Sequence, residues 1–214
     1  TAGSWSPADP SPGVGLSPAR GRPDTIPMLA RADLTNHFLI AMPSLMDPNF
    51  HQTVTYICAH NEEGAMGLVI NRPMELRLSD VLEQLDIQAT AEAVADMPVF
   101  EGGPVQRERG FVIHRPAGVW DAVLRVTDEL AVATSRDILA AMARGEGPPQ
   151  ALVALGYAGW GAGQLERELA ENAWLSGPAD VRILFELPSE QRWAAAAASL
   201  GVDLTLLSTE AGHA

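Results

Sequence analysis

Thr53–Ala59 (TVTYICA), Asn61–Gly64 (NEEG) and Ala65–Ile70 (AMGLVI) follow one another almost without interruption. The first segment is crowded with β-branched and aromatic residues, which suit a half-buried pleated strand. The middle segment has the Asn and Gly of a turn. The third is apolar again. The spacing predicts a β-hairpin that ends at Asn71-Arg72-Pro73. Upstream, His37–Met42 (HFLIAM) reads as a buried strand stopped by Pro43, and Asp47-Pro48-Asn49 reads as a turn.

Downstream, short strands are expected at Val99–Glu101, Gly110–His114, Val123–Val126, Ala151–Gly156 and Val181–Leu187. Ser79-Asp80 is expected to cap a short helix through Leu82 and Leu85. Thr134–Asp137 opens another in capping-box fashion, and Gly145 closes it. Gly156–Gly163 reads as a glycine-rich turn leading into a helix from Gln164 to about Leu175. A last helix runs from Ser189 to Leu200, with Gly201 beyond its end. Many strands interleaved irregularly with few helices, and no internal repeat, point to α+β rather than a doubly wound sheet.

The chain has 214 residues, enough for one domain plus a tail. Residues 1–27 hold six of the sixteen Pro with four Gly and four Ser, and their apolar residues follow no period. They read as a poorly ordered extension, with Trp5 as its one potential anchor, ahead of a single domain over 28–214. All fourteen basic residues are Arg, against 27 acids, for a net charge of −13. Such a surface repels phosphate backbones, so direct nucleic-acid binding is disfavoured. The absence of Lys excludes a P-loop and a Lys Schiff base. One Cys excludes an internal disulfide and a Cys-rich zinc site, and no cofactor is indicated. The longest uncharged run, 147–165, is broken by Pro148, Pro149 and five Gly, which argues against a membrane span. No apolar leader is visible, and the expected compartment is the cytoplasm.

The chemistry-bearing residues are few. His51 and His60 bracket one strand, roughly 30 Å apart if extended, too far to share a metal. His60 is expected in a solvated turn. Cys58 and His60 alternate onto one strand face, but a lone strand Cys is usually a small buried hydrophobe. There is no G-x-S-x-G elbow. The strongest local feature is Gly156-Tyr-Ala-Gly159-Trp160-Gly161-Ala-Gly163-Gln164-Leu165. Free N–H groups at its helix start could hold an anion, although Glu166 and Glu168 oppose one; the alternative is a structural turn with Trp160 on the core. Gly102-Gly103-Pro104 predicts a sharp turn. Arg72 sits at a strand end, where it could clamp a substrate or pair with an acid.

These segments also resemble a known family. MPSLMDPNF at 42–50, HNEEGAMGLVINRP at 60–73, GGPV at 102–105, and GYAGW at 156–160 with QLE at 164–166 and ENAWL at 171–175 are similar, in order and spacing, to the AlgH/YqgE family of bacterial proteins. The match covers about residues 27–205. The resemblance implies one α+β domain in which a strongly bent mixed sheet forms a partial barrel with helices outside. It implies no catalytic residues, since members carry no accepted ones, and some are labelled transcriptional regulators. The matching motifs fall on Asp47, Asn71-Arg72-Pro73, Gly102-Gly103-Pro104, Gly159-Trp160 and Gln164.

The resulting expectation is a binding or regulatory protein, not an enzyme, that takes a small ligand or a protein partner. Its candidate surface gathers Asp47, Asn71, Arg72, Gly102, Gly103, Gly159, Trp160, Gly161, Gly163 and Gln164 into one concavity. The alternatives are a transcriptional regulator acting through a partner or DNA, and a hydrolase or transferase using carboxylates near the same turns.

Overall fold

The computed structural model of the chain describes residues 32–209, so the expected extension over 1–27 lies outside the described residues. In chain order the elements are β1 (His37–Ala41), β2 (Val54–Asn61), β3 (Gly64–Val69), β4 (Pro73–Arg77), α1 (Leu78–Gln84), α2 (Glu92–Ala95), β5 (Pro98–Glu101), β6 (Val105–Arg115), β7 (Val123–Arg125), β8 (Ala131–Ala133), α3 (Arg136–Ala143), β9 (Gln150–Gly161), α4 (Gln164–Ala170), β10 (Trp174–Pro178), α5 (Val181–Phe185), α6 (Ser189–Ser199) and α7 (Leu204–Thr209). The predicted hairpin is present: β2 and β3 pair antiparallel from Thr55↔Val69 to Asn61↔Gly64.

Ten strands form one mixed sheet of order β10-β1-β2-β3-β9-β6-β8-β7, with β4 and β5 joined at the side of β9. The sheet curls into a half-barrel with helices against it, an α+β architecture. β1, β2 and the middle of β9 are apolar because both of their faces are covered, whereas β4, β7 and the first half of β6 are exposed and carry charges. On β1, Phe38 and Ile40 enter the core inside the curl while Leu39 and Ala41 enter a second core. On β9, Leu152 and Ala154 face the first core and Val153 faces a third one, beneath α1 and α3. Helices α5 and α6 close the inner core with Ile183, Leu184, Ala196 and Ala197.

The bend originates in β9. Its first half lies between β6 and β5, with Val99↔Val153 in parallel register. Its second half pairs instead with β3, through Met66↔Gly159 and Gly64↔Gly161. Gly102 sits at the handover, donating its N–H to Leu155 O and accepting from Val69 N, each at 2.8 Å. The backbones cross too closely for side chains. A Cβ on Gly103 (φ +156°) would lie 2.1 Å from the Tyr157 carbonyl carbon, and one on Gly156 (φ +74°) would lie 2.4 Å from Gly103 O.

Four local expectations are corrected. Gly156–Gly161 is strand, not turn: the glycines that read as a break permit close passage of neighbouring backbones. The helix expected to reach Leu175 stops at Ala170, and Asn172 in the left-handed region (φ +56°) turns the chain so that Trp174–Pro178 pairs with β1 as β10. Val181–Leu187, expected as a strand, is the short helix α5, capped by Asp180 accepting from Arg182 N at 2.8 Å. Ser79-Asp80 do not precede α1 but lie in its first turn, where Asp80 Oδ2 accepts from Arg77 N at 2.7 Å.

Gly103→Ala is expected to cost at least about 3 kcal/mol in urea denaturation, since backbone must move to admit the methyl. Gly201→Ala, in the left-handed region (φ +74°) but with nothing within 4 Å of its Cβ, is expected to cost about 1 kcal/mol.

Candidate functional site

The Asn71-Arg72-Pro73 motif leaves β3 and turns back against the segment before β2. Asn71 Oδ1 accepts from Val54 N at 2.8 Å, and its Nδ2 donates to Gln52 O at 2.9 Å. Arg72 donates to three carbonyls of one loop: Pro48 O at 2.8 Å, Asn49 O at 2.7 Å and His51 O at 2.9 Å. The guanidinium thus pairs with main-chain oxygens, where an acid or a substrate had been expected. Irregular backbone needs such partners, and the rigid fork of Arg supplies several at once. Asp47 closes the same loop, its Oδ1 accepting from Asn49 N at 2.8 Å.

Gly102 and Gly103 are close by, because Glu101 N donates to Arg72 O at 2.8 Å. Exposed Arg107 spans the two segments, 3.4 Å from Asn49 Oδ1 and 3.8 Å from Glu101 Oε1. Asp47, Asn71, Arg72, Gly102 and Gly103 therefore meet at one corner.

Gly159, Trp160, Gly161, Gly163 and Gln164 form a second group on the other side of that loop. Phe50 links the two, its ring 6.1 Å from that of Trp160 and 5.4 Å from that of Trp174. Glu168, on α4, organises the second group. Its Oε2 accepts from both indole N–H groups, Trp160 and Trp174, at 2.9 Å, and its Oε1 accepts from Gln164 Nε2 at 2.9 Å. Gln164 Oε1 in turn accepts from Gly161 N at 3.0 Å. The N–H of Gly161, expected to be free for an anion, is committed inside the chain. Glu168, expected only to oppose an anion, and Trp174 of the ENAWL motif carry this latch; a Trp on either side of a helical Glu is its local hint.

The histidines and the cysteine also resolve. His60 is not solvated: its side chain is 4% exposed, Nδ1 accepts from Leu34 N at 3.1 Å, and Nε2 lies 3.2 Å from Glu166 Oε1. A bulge between Ile57 and Ala59 breaks the alternation, so Cys58 enters the inner core while His60 pairs across from Ala65 beside the other one. Cys58 is buried, and burial pushes its thiol far above the ordinary range, which removes it as a nucleophile at neutral pH. Among the described residues no three His, Cys, Asp or Glu side chains gather as a metal ion requires. Arg192 on α6 is buried, with no salt bridge to a carboxylate among the described residues. It donates to Ile70 O and Leu187 O and stacks 5.1 Å from the Phe100 ring, and burial lowers its pKa to about 10. Of two cavities, one of about 610 Å³ adjoins the loop held by Arg72, at Pro43 and Gln52, and is also bordered by Trp193, Val202 and Leu204. The other, of about 400 Å³, lies away from it, bordered by Ser79, Leu82 and Asp86.

The AlgH-like family model matches residues 38–205. The chain belongs to the AlgH-like family. A UPF0301 protein of Thioalkalivibrio sulfidiphilus is 64% identical over 187 residues, spanning 87% of this chain and 100% of the relative. One from Nitrosococcus oceani is 60% identical, over 84% of this chain and 96% of the relative. The solution structure of the AlgH protein from Pseudomonas aeruginosa superposes with a TM-score of 0.71 at 56% identity, covering 86% of this chain and 98% of that one. Protein DIP2367 from Corynebacterium diphtheriae shares the fold at 20% identity, with a TM-score of 0.65 over 82% of this chain and 91% of that one. The sequence motifs that carry family membership include Asn71, Arg72, Gly102, Gly103, Trp160 and Gln164, each of which has a structural task in this AlgH-like chain. Among the described residues no helix is long and apolar enough to cross a membrane.

Arg72→Ala is expected to cost about 2–4 kcal/mol and to speed amide exchange selectively across 47–52; Arg72→Lys recovers only part, because one ammonium cannot span three carbonyls in a fork. Glu168→Gln, which replaces an oxygen that accepts from Gln164 or from two indoles, is expected to cost about 2 kcal/mol, read from the urea midpoint.

Proposed function

We propose that this chain is a non-enzymatic, cytoplasmic binding protein with a regulatory role, and that it meets a protein partner through the corner of segments 43–52, 71–73 and 101–107. The observation that carries this is the Arg72 clamp. Three hydrogen bonds to carbonyls hold an irregular loop in one shape, and that loop presents Met46, 72% exposed, next to exposed Asp47 and Pro48. Arg107 and Val105 stand beside it across the Asn49 contact. Met and Arg are enriched where proteins meet, and a preordered loop loses little entropy on binding.

An acid–base pair has no comparable support at this corner. Glu168 has both carboxylate oxygens committed to Trp160, Trp174 and Gln164. The net charge of −13 favours regulation through a protein partner over direct contact with DNA. A small ligand at the same corner is the narrower form of the idea.

A photo-crosslinking residue at position 46 is expected to capture a partner that the same probe at Gln88 does not. The purified partner is expected to bind Arg107→Ala and Met46→Ala at least about tenfold more weakly than wild type. Equal affinity for wild type and both variants would remove this corner from the binding surface.

A further inference from the structure

The end of β6 carries a second, unrelated feature. His114 is 0% exposed, set between Ala131 of β8 and Ala151 of β9. Its Nδ1 lies 3.0 Å from Pro116 O. A carbonyl can only accept, so Nδ1 carries the hydrogen and the neutral ring presents a lone pair at Nε2. That Nε2 is buried with no hydrogen-bond partner among the described residues. Trp120 meets the ring edge to face, at 6.1 Å and 88°, and its buried Nε1 is likewise without a partner. The packing is close: a Cβ on Gly118 would lie 3.0 Å from Trp120 Nε1. The segment from Pro116 to Ala122 is thus folded over an imidazole that tolerates one proton and has no acceptor for a second.

We propose that His114 and Trp120 form an acid-sensitive latch on the 116–122 segment, which opens when His114 takes up its second proton. The charged groups around it do not stabilise the imidazolium in place. On β6, Arg115 is a like charge and is itself paired with Glu129 at 2.7 Å. Asp128 and Glu129 lie in the exposed turn between β7 and β8. Asp121 donates its backbone N–H to Asp137 Oδ2 at 2.9 Å, and Arg136 and Asp137 lie at the start of α3. On β9 the register neighbours are Ala151 and Gln150, neither charged. None of these carboxylates makes an ion pair with the ring among the described residues.

The sign follows from linkage. Burial lowers the His114 pKa below the ordinary 6.5, partly offset by the Pro116 carbonyl. The open form, with a hydrated ring, titrates near 6.5 and binds more protons. The latched form is therefore fully populated above that pH and loses ground as pH falls through it, until the closed form also titrates. The latch rests on different residues from the proposed binding corner, and either can fail without the other.

Hydrogen exchange and tryptophan fluorescence between about pH 7.5 and pH 5 test it. Exchange at 117–122, corrected for its intrinsic pH dependence, is expected to quicken by up to about tenfold per pH unit below 6.5, while amides of β2 stay unchanged. The fluorescence change is expected to vanish in Trp120→Phe, which assigns it among five tryptophans. In His114→Phe, which keeps the bulk, both signals are expected to be flat. Should that variant not fold, the wild-type His114 ring can be followed by NMR beside the Trp120 indole N–H. Matching midpoints below 6.5 support the latch. A wild type whose 117–122 amides are insensitive to pH, or a folded His114→Phe that responds as wild type does, would overturn it.

Discussion

The crossing of β9 by the chain between β5 and β6 constrains everything else. One strand must serve β5 along its first half and β3 along its second, and the exchange happens within the width of a few backbone atoms. Gly102, Gly103 and Gly156 make the passage possible because a Cβ at any of them would sit inside a neighbouring backbone. From that point the sheet bends. The bend separates an inner core, closed by α5 and α6, from an outer core covered by α1 and α3. It also delivers the ends of β3 and β5 to one corner, where Arg72 and Glu101 meet through a backbone hydrogen bond.

A sheet curled this strongly leaves irregular segments at its ends, and their backbone groups need partners. The polar residues of the family motifs supply many of them. Asn71 substitutes for a strand neighbour at Val54 and Gln52. Arg72 gathers three carbonyls of the loop over 47–51. Glu168, outside those motifs, ties two indoles and the amide of Gln164 into one fastening between α4, β9 and β10. Arg192 does the same between α6 and the end of β3. A motif built of such residues looks catalytic when written out as a string, because Arg, Asn, Gln and Glu are also the residues of active sites. Here they organise main chain, and the surface they shape is made by their neighbours Met46, Pro48 and Arg107.

Part of this was legible beforehand. The hairpin from Thr53 to Ile70 is strong because composition and turn chemistry agree over it. That Asn71-Arg72-Pro73 and Gly102-Gly103 lie at strand ends was also legible. What Arg72 holds was not, since the loop at 47–51 reaches it only through the fold. Val181–Leu187 shows a different limit: its five apolar residues, with Arg182 and Glu186 among them, fit a buried strand or a short helix equally well. Asp180 capping and the packing of Ile183 and Leu184 under the sheet settle it as helix. The alternation that put Cys58 and His60 on one face failed at a single bulge, which period-two counting does not detect.

The amino-acid order alone determined an acidic α+β chain with one central hairpin, glycines placed where strands end, and no lysine or cysteine pair to support several large classes of chemistry. Those properties are local: they depend on residue type and on spacing over a few positions. The tertiary structure decided that a glycine run is strand and not turn, that an Arg serves carbonyls and not anions, and that a histidine lies sealed against a tryptophan. Each of these depends on atoms contributed from elsewhere in the chain. Contacts of that kind exist only once the sheet has curled and brought them within hydrogen-bonding range.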